Sequence, residues 1–174
     1  ISRVSTFTGF AASSDLKYVL AVGRYNVPGA GSMNARPGIY VSREGTAGWK
    51  RRVDTGRNWP SSCWASGDFK NLVVVGPSTG IMISTNYGES FTTFTKVNGI
   101  TCNGGGAGQS MFLKYVTATD DLGIILVVQP KQTSAPLGFG KTQIIMSTNI
   151  GQSWTTLMES PVSAWSTGSG SPIA

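Results

Sequence analysis

Apolar residues along this chain come in short runs, each closed by turn residues. "YVLAV" (18–22), "LVVVG" (72–76), "IMI" (81–83), "IILVV" (124–128) and "QIIM" (143–146) are bounded by Gly, Ser, Thr, Asn or Asp. No amphipathic helical period persists beyond a few residues. Runs of this length at regular spacing predict short β-strands, and with them an all-β sandwich, barrel or propeller.

The runs also repeat. "SSDLKYVLAVG" (13–23), "SGDFKNLVVVG" (66–76) and "TDDLGIILVVQ" (119–129) align on Asp15, Asp68 and Asp121, at two successive intervals of 53 residues. A second apolar strand follows each, "GIYVS", "GIMIS" and "QIIMS", ending at Ser42, Ser84 and Ser147. Seven residues beyond each serine stands an aromatic: Trp49, Phe91 and Trp154. Trp64, in "SSCWASGD", sits four residues before Asp68, and "VSAWSTGSG" repeats that opening around Trp165. A fixed period signals a repeat architecture. The expected units are 1–57, 58–107 and 108–160, with 161–174 as the first strand of a fourth. The repeated aspartates read as turn residues between the first and second strands of each unit.

Behind the second apolar strand lies a small polar turn, "STNYGESF" (84–91) and "STNIGQSW" (147–154). A serine at the strand end and an asparagine two residues later can both accept hydrogen bonds from following backbone amides. Gly88 and Gly151 suit a left-handed backbone position that a side chain resists. Phe91 and Trp154 then fold a ring into the sheet and anchor the hairpin. Each copy is expected to close one structural unit.

These residues resemble the Asp-box, or BNR repeat, of sialidase-like β-propellers: Ser, any, Asp, any, Gly, any, Ser or Thr, then Trp or Phe. Ser84, Asn86, Gly88, Ser90 and Phe91 match with Asn in place of Asp, as do Ser147, Asn149, Gly151, Ser153 and Trp154. Ser42, Glu44 and Trp49 form a degraded first copy, with Thr46 where Gly is expected. The resemblance covers nearly the whole chain. It implies a β-propeller of about three four-stranded blades plus the first strand of a fourth, part of a larger ring. It also implies that the box joins the third and fourth strands of a blade. "SCWAS", "NLVVV", "GIMIS" and "SFTTFTKV" would then be the four strands of the middle blade.

Sialidases of the family use three arginines gripping a carboxylate, a Tyr–Glu nucleophile pair and an acidic general acid/base. Their first arginine lies in a Phe/Tyr–Arg–Ile–Pro motif before the first box. Here "NARPGIYVS" places Arg36 directly beside Pro37 without the isoleucine, and Arg36 reads as a loop residue. Only eight residues are acidic, and nothing nominates two carboxyls converging on one cleft, as glycoside hydrolysis requires. The resemblance therefore carries no catalytic, cofactor-binding or metal-ligating residue onto this chain.

Charge and composition narrow the picture further. Net charge is +6 and the charged fraction 13%. The one dense basic group, Lys50–Arg51–Arg52, alternates faces along a strand and makes no phosphate-tracking stripe, which argues against a nucleic-acid partner. A mild attraction to anionic surfaces such as acidic glycans or lipopolysaccharide remains compatible with the charge. The chain has no His and two Cys, so the usual zinc sets are unavailable. Cys63 and Cys102 read as free thiols, with a single bridge as the alternative. No run of about 18 apolar residues is present for a membrane-spanning helix. The chain opens on "ISRVS" without Met or a signal-peptide pattern, as an excerpt of a longer protein would. "APLGFGKT" (135–142) fits the loose phosphate-loop pattern but precedes a strand rather than a helix. "NGGGAGQS" (103–110) reads as a connector between units.

Fold does not fix function. The expectation is a non-catalytic propeller module in a virion (phage tail or fibre) or surface-adhesion protein, located on a virion or cell surface. Its partners would be the remaining blades of a parent chain or neighbouring subunits, with surface glycans a further candidate. The alternatives are a sialidase-like glycoside hydrolase with its catalytic residues on other blades, and an assembly-factor scaffold. An open arc would expose the apolar flanks around Phe7 and Trp165, so covering protein is expected at both ends.

Overall fold

A computed structural model describes residues 6–26, 35–45, 47–55, 60–77, 79–97, 100–102, 113–132 and 139–160. Every regular element among them is a β-strand. The first sheet comprises β1 (Thr6–Ala12), β2 (Val19–Asn26), β3 (Ala35–Ser42) and β4 (Lys50–Asp54), hydrogen-bonded in that order. The second comprises β5 (Ser62–Ala65), β6 (Leu72–Gly76), β7 (Gly80–Ser84) and β8 (Thr92–Phe94). A small hairpin follows, β9 (Lys96–Val97) with β10 (Ile100–Thr101). The third sheet comprises β11 (Tyr115–Ala118), β12 (Ile125–Gln132), β13 (Phe139–Ser147) and β14 (Thr155–Glu159). All neighbouring strands are antiparallel, so each sheet is an up-and-down meander.

Two apolar cores lie between the sheets, and strand alternation explains both. Side chains one residue apart point to opposite faces. Leu72, Val74 and Met82 therefore pack with Leu20, Val22, Ile39 and Val41 of the first sheet. Val73, Val75, Ile81 and Ile83 pack with Ile125, Val127 and Ile145 of the third. The middle sheet is covered on both faces, which is why β6 and β7 are continuous apolar runs, buried at every position.

Hydrogen bonds between sheets recur at the repeat interval. The Thr8 hydroxyl donates to the Pro60 carbonyl at 2.7 Å, and the equivalent Ser61 hydroxyl donates to the Leu113 carbonyl at 2.6 Å. Ser14 N–H donates to the Gly67 carbonyl at 2.8 Å, and Gly67 N–H donates to the Asp120 carboxylate at 3.1 Å.

Gly140, Lys141 and Thr142 lie inside β13, with Thr142 opposite Pro130, so the Gly-Lys-Thr end of the phosphate-loop pattern is strand; its first four residues lie outside the described residues. Arg36 likewise lies within β3, opposite Tyr25, rather than in a loop; the strand pairing of its neighbours carries it along. Residues 103–110 and 161–174, with the connector and the fourth-unit strand expected there, lie outside the described residues, as do Thr46 and Trp165.

Candidate functional site

The residues singled out by the repeat fall in two kinds of polar corner. The first joins strands one and two of each sheet. Ser13 donates its hydroxyl to Asp15 at 2.7 Å, Ser66 to Asp68 at 2.6 Å, and Thr119 to Asp121 at 2.7 Å. Each carboxylate also accepts a backbone N–H two residues on, from Lys17, Lys70 and Gly123. These bonds, the hydroxyl first and the amide second, hold all three carboxyls below the ordinary aspartate range. The residue after each aspartate adopts a left-handed backbone: Leu16 (φ 58°), Phe69 (φ 63°) and Leu122 (φ 59°).

The second corner joins strands three and four. In the middle sheet, Ser84 donates its hydroxyl to Asn86 Oδ1 at 2.9 Å and accepts Gly88 N–H at 3.0 Å. Asn86 Oδ1 accepts Ser90 N–H at 3.0 Å, while its Nδ2 donates to the Ser90 hydroxyl at 2.8 Å. The third sheet reproduces this network: Ser147 to Asn149 at 3.0 Å, Gly151 N–H to Ser147 at 2.8 Å, Ser153 N–H to Asn149 at 2.9 Å, and Asn149 to the Ser153 hydroxyl at 2.8 Å. Gly88 (φ 73°) and Gly151 (φ 81°) occupy the left-handed region, directly after Tyr87 (φ 61°) and Ile150 (φ 55°), which do so as well. Trp154 closes its corner with an indole N–H to the Gly151 carbonyl at 3.0 Å.

The first corner, at Ser42, is built differently. The Ser42 hydroxyl donates to the Ala47 carbonyl, and Glu44 contributes its backbone amide to Ser42 at 3.3 Å. Gly45 (φ 64°) and Gly48 (φ 64°) supply the left-handed positions. Trp49 stands 40% exposed, whereas Trp154 is buried at 7%.

Position explains what the two regular corners do. A Cβ on Gly88 would lie 3.1 Å from Val41 Cγ2 of the preceding sheet, and one on Gly151 would lie 3.0 Å from Ile83 Cδ1. Phe91 packs into the core between sheets one and two, and Trp154 into that between sheets two and three. Glu89, between Gly88 and Ser90, pairs with Arg43, directly after β3, and with Arg52 of β4 (3.2 Å). Each regular corner is thus a joint clamped onto the sheet before it. The sequence carried no sign of this inter-sheet role for Gly88, Gly151 or Glu89.

The remaining chemistry is sparse. Among the described residues no group of three or more His, Cys, Asp or Glu gathers as a metal site. Cys63 and Cys102 are free and buried; burial pushes the Cys63 thiol up to about 12 and the Cys102 thiol to about 11. Arg51 pairs with Asp54 at 2.9 Å and Arg52 with Glu89, so the basic run is largely met by carboxylates. No helix among the described residues is long and apolar enough to cross a membrane. One polar row has no counterpart in the other sheets. Gln129 donates to Gln143 and Gln143 to Glu159, each at 2.8 Å, where sheets one and two have glycines at the first two positions.

No family model matches the sequence, and no curated protein does. Solved structures do resemble the fold. A structure of a nidogen/laminin complex aligns with TM-score 0.60 at 10% identity, covering 89% of this chain and 49% of that one. An ancestral GH74 enzyme aligns with TM-score 0.60 at 12% identity, covering 88% and 20%. A GH74 enzyme of Niastella koreensis aligns with TM-score 0.55 at 16% identity, covering 86% and 21%. The chain therefore spans half or less of each of these three chains. With its three successive antiparallel four-stranded sheets, it folds as part of a β-propeller.

Proposed function

We propose that the chain is a non-catalytic β-propeller module of the Asp-box type, the stiff platform of a virion (phage tail or fibre) or surface-adhesion protein. Its flanks would be covered by further protein, and surface glycans are its candidate ligands. The observation that carries this reading is the fate of the motif residues. Ser84, Asn86, Ser90, Ser147, Asn149 and Ser153 spend their polar atoms on their own turns, while Gly88 and Gly151 face the neighbouring sheet. The repeated aspartates are likewise committed to turn hydrogen bonds within their own corners. Neither arrangement supplies the acid and base that glycoside hydrolysis needs.

A second reading rests on the GH74 enzymes among the structural neighbours: a glycoside hydrolase whose catalytic residues lie on other blades. Likeness at this identity speaks for the fold alone. Glycan-array binding, run beside hydrolysis assays on sialosides and β-glucans with the longest chain that carries residues 1–174, separates the two. Binding without turnover supports the platform. Turnover would establish the enzyme.

A further inference from the structure

We propose that the chain binds an acidic polysaccharide, one that carries carboxylate or phosphate groups at intervals along a hydroxylated chain, at the end of the sheets opposite the Asp-box corners. The inference rests on the platform reading, and gives its glycan a chemical class and a place. Its basis is a charge polarity between the two ends of the sheets.

In a four-stranded meander the strand one–two and strand three–four corners share one end. The strand two–three hairpin shares the other end with the start of strand one and the finish of strand four. The three sheets keep the same direction. Ser14, Gly67 and Asp120 link successive one–two corners, while Thr8 with Pro60 and Ser61 with Leu113 link the sheets toward the opposite end. The corner turns hold six of the eight carboxylates: Asp15, Glu44, Asp68, Glu89, Asp120 and Asp121. Three cations stand in the same turns. Lys17 pairs with Asp15 at 3.3 Å and Arg43 with Glu89, and Lys70 is the third.

The other end is rich in cations. Arg24 and Arg36 lie where β2 finishes and β3 starts, Lys131 and Lys141 where β12 finishes and β13 starts. Lys96 lies in β9, just past β8, and Lys114 directly before β11; both are exposed. Among the described residues this end has two carboxylates, Asp54, which Arg51 holds, and Glu159, which accepts from Gln143. Six cations against two carboxylates leave it at +4, most of the chain's net charge of +6. The hairpins that carry four of these cations also run past the middle one. Gly76–Gly80 is the last pair of β6 and β7. The pairs level with it, Gly23–Gly38 and Gln129–Gln143, are followed by others as far as Asn26–Ala35 and Gln132–Phe139. At about 3.4 Å per residue, the first sheet's hairpin continues about 10 Å beyond that of the second. Two cation-bearing hairpins therefore flank a short one.

Two features favour a glycan over a nucleic acid. Sheets pack about 10 Å apart, so cations grouped sheet by sheet are sparse, whereas a DNA duplex carries a charge about every 1.7 Å along its axis. This end also offers acceptors. Gln129 donates to Gln143 and Gln143 to Glu159, a chain of amides that ends on a carboxylate and so strengthens the acceptor at its far end. That acceptor is Gln129 Oε1, which has no hydrogen-bond partner although Gln129 is 2% exposed. Alternation puts Gln129 on the face that Ile125 and Val127 turn toward the second sheet. A hydroxyl entering between the second and third sheets is the donor that Oε1 lacks. A polysaccharide supplies hydroxyls between its acid groups, and a DNA backbone does not.

Biolayer interferometry of the full 174-residue chain on immobilised polygalacturonate, phosphomannan and neutral dextran tests this. The wild type is expected to bind an acidic polymer and to be released as NaCl rises from about 50 to about 200 mM. Whichever acidic polymer binds identifies the acid group, and dextran and monomeric galacturonate should bind at least about ten-fold more weakly. Lys96→Gln with Lys114→Gln, and separately Lys131→Gln with Lys141→Gln, should each weaken binding roughly ten-fold. Lys17→Gln with Lys70→Gln, at the corner end, should change it less than about two-fold. A thermal melt checks folding, and the exposed pair Lys96 and Lys114 decides the matter if the other variant fails to fold. Failure of both acidic polymers to bind overturns the proposal. So does a loss confined to the Lys17 and Lys70 variant, or a DNA duplex that binds as tightly as the polysaccharide. Binding of neutral glycans alone would end this inference and leave the platform reading standing. Turnover of a bound polymer would end the platform reading and leave the binding end where it is placed.

Discussion

Gly88→Ala isolates the clamp between sheets from the turn itself. The new methyl meets two costs. Holding an L-residue at φ 73° costs about 1–2 kcal/mol. Its Cβ would also lie 3.0 Å from Leu72 Cδ1 and 3.1 Å from Val41 Cγ2. Crowding of that kind in a packed core costs about 1–3 kcal/mol, for a total of about 2–5 kcal/mol. Gly45→Ala provides the comparison. Gly45 has φ 64°, but the nearest atom to its Cβ is the Leu16 carbonyl oxygen at 3.7 Å, so it carries the strain without the crowding. Urea and thermal unfolding should separate the two variants by about 1–3 kcal/mol, or roughly 2–12 °C in Tm for a domain of this size. A Val41→Ala background removes the crowding atom of the preceding sheet and leaves that of Leu72, so a double-mutant cycle should show coupling between positions 41 and 88. Equal losses for Gly88→Ala and Gly45→Ala, with an additive cycle, would refute the clamp.

Three further outcomes follow from the same geometry. Ser84→Ala leaves the buried Gly88 N–H without its acceptor and should cost about 1–3 kcal/mol by denaturant titration, more than Asn86→Ala, whose side chain is exposed; the reverse order would contradict the network. Asp15, Asp68 and Asp121 have folded pKa values below the unfolded one, so their contribution is present above about pH 4 and is lost as pH falls through the lowered values. Acid unfolding curves of a triple Asp→Asn variant should be flatter in that window, and an unchanged curve would remove the carboxylates from the account. Cys63 and Cys102 should resist thiol reagents at pH 8 and both react on unfolding, as buried thiols shifted to about 12 and about 11 do; rapid native labelling, or no free thiol after denaturation, would contradict the packing.

The strands were legible because their determinants are local. Apolar runs bounded by Gly, Ser and Asn gave β6 and β7 nearly to the residue and the C-terminal half of β13, which starts earlier at Phe139, and the serine–asparagine spacing gave the turn bonds at Ser84 and Ser147. What reaches across to another sheet left no such trace. Nothing local marks the Thr8 and Ser61 hydroxyls as links to Pro60 and Leu113, 52 residues away in each case. The glycines were legible as left-handed positions, but their approach to Val41 and Ile83 depends on how sheets stack. Arg36 was misplaced for a related reason. Its departure from the arginine motif reads as a loop, while pairing with Tyr25 of β2 holds it in a strand. The Ser42 corner departs from the other two, with Glu44 and Gly45 where they have Asn and a bulky residue.

The central claim is that the Ser84–Phe91 and Ser147–Trp154 corners are joints between sheets rather than ligand sites. The most direct measurement is thermal stability and glycan-array binding on the same Asn86→Ala and Asn149→Ala proteins. Each substitution removes an acceptor for a backbone N–H and a donor to a serine hydroxyl, and should cost about 1 kcal/mol. Lowered stability with an unaltered binding profile is the predicted result. Lost binding in proteins of unchanged stability would contradict it and make the corners the site of recognition.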